Sequence, residues 1–559
     1  MAAASVNVST NNVNVRHLRP PIISYKPSMW GDIFSTFSFD PQLQEKYSEE
    51  IEALKKQVGS MLMAATCTKL ILTFIDNLER LGLAFHFHTE IEHKLKQVYD
   101  SLVAEEEEED LDLFTTALRF RLLRQHQYHI SCNVFDKFVG EDGKWQVEKL
   151  DIEGILSLYE AAHVRIRDEN ILDEAVEFTT HHLKCMLPTL EPSPTKEKVQ
   201  QSLNHSIHRS LAILTVRFYI SIHEGDGSTT EEVVVKLAKL NFNYLQNMYR
   251  KELAELSRWW DKFDLKNKLP YSRDRIVECY LWGTAFRSEP QYSYVRATVA
   301  KTMQMLSVVD DTYDNYATLE EDDLFTLILE RWSLDEIDVL PDFMKVVYRF
   351  IMSVVEDYEA EAEKQGKSFA VPYYKEAMKQ MGRAYNIEQK WIMERQMPLF
   401  EEFMTNSVFT SCIYPMFIAF VPGMKSVTEQ DVQWLLSEPK IVISTAKMGR
   451  TIEDLGSYER ENREGSLATV VDCYMNDKGV SKEETLCRFK ELVEIGWKDV
   501  SAEWAKGKDS SVPKEMVEQL LNYGRAAEIT YNNNEDGYTD PEKHLGPLAA
   551  SLLLNPIPI

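Results

Sequence analysis

Apolar residues recur at three- and four-residue intervals along nearly the whole chain, and this period most restricts what it can fold into. Ile51 and Leu54; Leu111, Phe114 and Leu118; Ile152, Ile155, Leu156 and Tyr159; and Leu237, Leu240, Tyr244 and Leu245 all keep the spacing, which gathers each set on one face of an α-helix. Few stretches alternate with period two. Glycine is scarce, 21 in 559 residues, which fits long helices better than a turn-rich β fold. The expectation is an all-α protein. A chain of this length exceeds one ordinary hydrophobic core, so two helical domains are expected. Residues 188–194 read as a proline-punctuated loop. The best domain boundary is Asp226 to Thr230, with Thr229 or Thr230 capping the helix that follows.

Charge narrows the partners. The chain carries 89 Asp+Glu against 62 Lys+Arg, a formal net charge of −27. That disfavours nucleic acid and anionic membranes, which need clustered Lys and Arg. An anionic substrate would need local positive charge from metals or a few placed arginines. The longest strongly apolar run, Cys412 to Met424, is short and carries Pro415 and Pro422, so no membrane insertion is expected. The N-terminus shows neither a secretory leader nor a convincing transit peptide, and the expected location is the cytoplasm. Seven cysteines (Cys67, Cys132, Cys185, Cys279, Cys412, Cys473 and Cys487) lack any CxxC pair and read as reduced, mostly buried thiols. Neither His86/His88/His93 nor His205/His208 has zinc spacing. The acidic run Glu105 to Asp110 reads as an exposed loop or helix end, because nothing apolar leads into it.

Asp310-Asp311-Thr312-Tyr313-Asp314 is different, because it closes an apolar run that includes Met303, Met305, Leu306, Val308 and Val309. Asp310 and Asp314, four apart, share a helix face at the end of a buried segment. Such a pair repels itself unless a cation lies between. Oxygen-only ligands suit Mg²⁺, which is held by one or two carboxylates plus substrate phosphates. A facing partner is available in Arg450 to Glu461. There Glu453, Ser457 and Glu461 line one helix face, about 12 Å from end to end, and Arg450 is placed to bind a phosphate oxygen. A third element, Arg273-Asp274-Arg275, precedes a helix expected over Ile276 to Phe286. Its guanidinium forks suit a diphosphate, and Trp282, two turns on, would supply an aromatic wall.

In this order the pieces resemble a plant class I terpene synthase of the angiosperm sesquiterpene synthase group. The matching segments are Arg19-Pro20 before Trp30-Gly31-Asp32, Phe120 to His126, Leu158 to Ala161, Arg258-Trp259-Trp260, Arg273 to Arg275, Asp310 to Asp314 and Asp536-Gly537-Tyr538. The resemblance implies an N-terminal segment 1–29 capping the active site, a relic α-barrel domain over 30–227 and a catalytic class I helical bundle over 228–559. It implies Mg²⁺, in a set of three ions and replaceable by Mn²⁺, on Asp310, Asp311 and Asp314 and on Glu453, Ser457 and Glu461. Arg273, Arg275 and Arg450 would take the diphosphate, with Asp310 and Asp314 contributing to substrate binding. Trp282, Tyr531 and Tyr538 would line the cavity, with Asp536 beside them, and 532–540 would close as a lid. The implied reaction is ionisation of farnesyl diphosphate and cyclisation to a sesquiterpene by a monomer. Alternatives are a monoterpene synthase acting on geranyl diphosphate and a catalytically degraded helical homologue. The chain departs from the family pattern at Glu453, where Asp or Asn is usual, and at Asn462 and Glu464, where basic residues are common. Near Pro415 a broken helix is expected to free carbonyls toward the cavity.

Overall fold

The computed structural model describes residues 15–20, 25–104, 111–141, 143–146, 151–224, 229–464 and 469–559. The expectations for Glu105–Asp110, for the boundary residues 225–228 and for the side chains of Thr229, Thr230, Asn462 and Glu464 lie outside the described residues. The all-α expectation holds among the rest. The described residues contain no strand, only one isolated bridge between Val139 and Trp145.

Helix starts are encoded locally. Asp40 precedes the helix Pro41–Ala64, and its Oδ1 accepts from the backbone N–H groups of Gln42 (2.9 Å) and Leu43 (3.1 Å), with proline at the first position where no N–H is needed. Thr318 and Glu321 form a capping box on Leu319–Arg331, as Ser481 and Glu484 do on Lys482–Ala505. The helices from Pro41–Ala64 to Ala212–His223 make the N-terminal half. The long helix Thr229–Asp261 leads into the second half, whose helices run from Ile276–Phe286 to Leu545–Leu553.

One continuous apolar core runs from Ile51 and Leu72 in the first half to Trp497 and Leu552 in the second, so the halves are packed together rather than tethered. Ion pairs cross the same junction, including Arg209 to Glu494 at 2.7 Å and Lys498 to Asp173 at 2.6 Å. Within the second half, Arg296 is fully buried. It pairs with Glu252 at 2.7 Å, while the Tyr280 hydroxyl donates to the same carboxylate. This joins Thr229–Asp261, Ile276–Phe286 and Ser293–Asn315. Gly283 lets the last two approach closely, since a Cβ there would stand 2.6 Å from the Arg296 carbonyl oxygen.

Two expectations need correction. Only Cys279 and Cys473 are buried; Cys67, Cys185 and Cys487 are exposed and Cys132 and Cys412 lie between. Cys67, for example, stands at a helix N-cap where the chain enters from the surface. The run Phe400–Gly423 is long and apolar enough to meet the criterion for a bilayer span. It is nevertheless divided into Phe400–Thr410, Ile413–Ala419 and the turn Val421–Gly423, and most of it is buried inside the second half. It is therefore a core element.

His126 joins two helices of the first half through Glu79 and Glu92, each 2.8 Å from a ring nitrogen. Burial opposes its charge, but the two carboxylates prevail and lift its pKa from 6.5 to about 9. A raised histidine pKa contributes stability that is complete below pH 6.5 and disappears as the pH rises through about 9. The contribution is about 3 kcal/mol at most. Thermal denaturation of the native protein should therefore show a stability loss across that window. His126→Gln should flatten it; an unchanged pH profile in the variant would exclude His126 as the source.

Candidate active site

The Asp-rich helix Ser293–Asn315 and the helix Lys440–Glu464 face each other across a cavity of about 120 Å³. Its mouth is lined by Arg273, Asp310, Arg450, Glu453, Arg460 and Asp536, and its walls include Trp282, Tyr385, Tyr523, Tyr531 and Tyr538. A larger cavity of about 310 Å³ lies at the junction of the halves. Its charges are already matched: Arg80 pairs with Asp76, Arg287 with Glu289 and Glu518, and Glu79 with His126, while Arg525 donates to the His208 carbonyl and to Asn522. The charge distribution therefore assigns the chemistry to the smaller cavity.

Asp311 is fully buried. Its Oδ2 accepts from the backbone N–H of Arg273 at 2.7 Å, and the Arg273 Nε lies 3.0 Å from its Oδ1. Arg273 also reaches Asp310 and, at 3.3 Å, the Thr539 hydroxyl. One guanidinium thus joins the Asp-rich helix to the segment 532–540. On the other side, Arg450 chelates Asp454 one turn along its own helix, with both contacts at 3.0 Å.

Carboxylates exceed these cations. Burial, then Asp310, Glu388 and Asp311, push Asp314 well above the usual carboxylate range. Burial raises Glu453 to about 8, with Arg450 opposing and Asp454, Asp310 and Glu461 adding to the rise. Asp314 Oδ1 and Ser457 Oγ are buried without a hydrogen-bond partner. A cluster of crowded carboxylates with orphaned oxygens fits hard divalent cations. Among the described residues no three Asp, Glu, His or Cys side chains converge on one point.

The expected residues do not all reach the cavity. Asp310, Arg273, Arg450, Glu453, Trp282, Tyr531, Asp536 and Tyr538 line it. Asp311 and Ser457 are buried outside the lining, Asp314 is partly exposed and also outside it, and Glu461 lies beside Arg460 at 3.5 Å. Arg275 is placed differently from the expectation. It is buried, and it donates to the carbonyls of Tyr538 (3.0 Å), Thr539 (2.7 Å) and Asp274 (2.8 Å) and reaches that of Lys26. Its guanidinium joins 538–539 to the N-terminal segment at Lys26.

The described residues of that segment pack beside the mouth. Arg19 pairs with Glu321 at 3.0 Å and donates to the Tyr316 carbonyl at 2.7 Å. Tyr25 accepts from Asn315 at 2.7 Å and lies under the Arg273 guanidinium. The Trp30 indole donates to buried Glu278 at 2.8 Å. The helix break is at Ser411 and Cys412, where Cys412 takes a left-handed conformation, φ 62°. Pro415 itself falls in the first turn of the next helix, where proline is tolerated. The freed Ser411 carbonyl accepts from the Tyr523 hydroxyl at 3.0 Å.

Sequence reading missed Tyr385, Tyr523, Asp454 and Arg460. Asp454 and Arg460 adjoin Glu453 and Glu461, and that adjacency was the available signal. Tyr523 lies on the helix Lys514–Thr530, whose C-cap is Tyr531, and both rings line the cavity.

The chain belongs to the terpene synthase family. Residues 29–203 match "Terpene synthase, N-terminal domain" and residues 261–499 match "Terpene synthase family, metal binding domain". The family acts on prenyl diphosphates with divalent metal ions. Among characterised relatives, gamma-cadinene synthase of Ocimum basilicum is 53% identical over 529 residues, covering 94% of this chain and 96% of that one. Tau-cadinol synthase of Lavandula angustifolia is 51% identical over 547 residues, covering 97% and 98%. Among solved structures, isoprene synthase from grey poplar (Populus x canescens), in complex with three Mg²⁺ ions and dimethylallyl-S-thiolodiphosphate, superposes with a TM-score of 0.86. It is 31% identical, and the match covers 92% of this chain and 98% of that one. Limonene synthase with 2-fluorolinalyl diphosphate gives 0.89 at 29% identity, covering 97% and 100%.

Gly449 lies against the Tyr523 ring. A Cβ there would stand 2.3 Å from the Tyr523 Cε1, and the Tyr523 hydroxyl is already tied to Ser411. Gly449→Ala should destabilise the protein by about 1–3 kcal/mol through overpacking, measured by urea denaturation. Native stability in the variant would show that Tyr523 is free to move.

Proposed function

We propose that the protein is a sesquiterpene synthase, a carbon–oxygen lyase that ionises farnesyl diphosphate and cyclises the resulting cation. The observation that carries this reading is a single cavity with a charged mouth, formed by Arg273, Asp310, Arg450 and Glu453, and an aromatic interior, formed by Trp282, Tyr385, Tyr523 and Tyr531. A substrate with a diphosphate at one end and a prenyl chain at the other matches that polarity. The relatives named for cadinene and cadinol support a fifteen-carbon substrate.

In this reading Arg273 and Arg450 hold the diphosphate by charge-assisted hydrogen bonds and meet the charge that builds as the allylic C–O bond breaks. Asp310, Asp311 and Asp314 on one side and Glu453, Ser457 and Glu461 on the other would hold Mg²⁺, in a set of three ions replaceable by Mn²⁺, which supplies Lewis-acid pull on the diphosphate oxygens when bound. The electron pair leaves with the diphosphate, and the prenyl cation stays in the aromatic interior. The negative faces of Trp282 and the tyrosines stabilise it there. Loss of a proton gives a hydrocarbon; capture of water gives an alcohol. Lid residues 532–540 and the segment around Tyr25 exclude bulk water.

Purified protein with Mg²⁺ should convert farnesyl diphosphate to cyclic fifteen-carbon products and release inorganic diphosphate, identified by gas chromatography–mass spectrometry. Preference for geranyl diphosphate would replace this reading with the monoterpene one. Chelating the metal should abolish turnover. Asp310→Ala should lower kcat/KM about a hundred-fold, and full activity in that variant would remove Asp310 from the metal and substrate site.

A further inference from the structure

Arg460 lies one residue before Glu461 and lines the cavity mouth. Its Nε and Nη2 stand 3.0 Å and 2.8 Å from Asp536 Oδ2. The other Asp536 oxygen accepts from the backbone N–H groups of Tyr538 (3.1 Å) and Thr539 (2.8 Å). Asp536 is therefore engaged on both oxygens. One oxygen shapes the turn 536–539, and the other fixes that turn to the helix Lys440–Glu464. Tyr538 and Thr539 are themselves cavity walls, and Asp536 is buried, so water has little access to the ion pair.

The cavity of about 120 Å³ is well below the roughly 300–1,000 Å³ of ordinary small-molecule pockets. Admitting a fifteen-carbon chain requires the turn to lift, which breaks its contacts with Arg460, Arg275 and Arg273, and closure requires them to re-form. Arg275 cannot take over this role alone. Its donors hold the far side of the same turn against Lys26 and Asp274, leaving the edge nearest Glu461 to Arg460.

We propose that Arg460 is a latch that closes the 532–540 turn over the cavity, and that through the turn it determines how much product is hydrocarbon and how much is alcohol. The inference rests on the sesquiterpene synthase reading only for its product consequence. Alcohol formation needs one water molecule at the cation; its oxygen bonds the cationic carbon and one proton passes to solvent. A latched turn leaves proton loss as the main exit.

Two measurements test this. The first is amide hydrogen exchange of residues 532–540 in the substrate-free protein. Arg460→Met should exchange about ten-fold faster there, the scale of one lost charge-assisted hydrogen bond, with Arg460→Lys in between. The double variant Arg460→Met/Asp536→Asn should go no further than either single change. The second is the alcohol fraction made from farnesyl diphosphate in ¹⁸O-water. It should rise several-fold in Arg460→Met, carry the label, and fall back toward native in Arg460→Lys. Unchanged exchange in both Arg460 variants overturns the latch, and so does faster exchange with a native alcohol fraction. A rise in KM with exchange and products unchanged would make Arg460 a diphosphate ligand instead. Failure of the native protein to make any fifteen-carbon product would remove the sesquiterpene reading, while the exchange data would still decide the latch.

Discussion

The contact between Arg273 and the buried Asp311 is the constraint on which the rest of the site depends. A carboxylate taken fully out of water is costly unless a cation and well-aimed donors meet it. Arg273 supplies both, through its guanidinium and its own backbone N–H. Because Arg273 belongs to the segment before Ile276–Phe286, the pairing fixes that helix, and with it Trp282, against the Asp-rich helix. The same guanidinium touches Asp310 and Thr539, so the Asp-rich helix and the segment 532–540 share one anchor. Removing Arg273 would leave the buried Asp311 carboxylate without a cation at the point where four segments meet.

Excess negative charge is the second theme. Asp310, Asp314, Glu388, Glu453 and Asp454 are gathered in one region, and burial raises several of them. Such crowding is unfavourable for an empty fold and suits one that takes up cations with its substrate.

Much of this was legible in the sequence. The 3.6-residue period gave the helices, and the helix expected over Ile276 to Phe286 has those bounds in the structure. The spacing of Asp310 to Asp314 and of Glu453 to Glu461 put the carboxylates on two helix faces. What spacing cannot convey is which neighbour a long side chain meets. Arg273 and Arg275 are two residues apart with the same chemistry, yet one faces the cavity and the other threads between backbone carbonyls. Only the packing of 26 against 538–539 decides that. Arg460 was passed over because it interrupts a row of acidic residues, and its partner Asp536 is 76 residues away. Cysteine burial was misjudged because residue type gives a tendency, whereas a position such as Cys67 at a helix entry is set by chain direction.

The mouth of the cavity joins segments that are far apart along the chain: Lys26 meets Arg275, Arg273 meets Thr539, and Arg19 meets Glu321. Contacts of such long sequence separation form late, because the intervening chain must be ordered first. The two helical halves can therefore consolidate before the mouth is assembled. In that interval the unfinished opening presents charged side chains of both signs, Arg273, Arg450 and Arg460 with Asp310, Glu453 and Asp536, rather than apolar ones. A charged opening offers partly folded copies little apolar surface to share at the place that is last to close, which opposes aggregation during the slowest stage of folding.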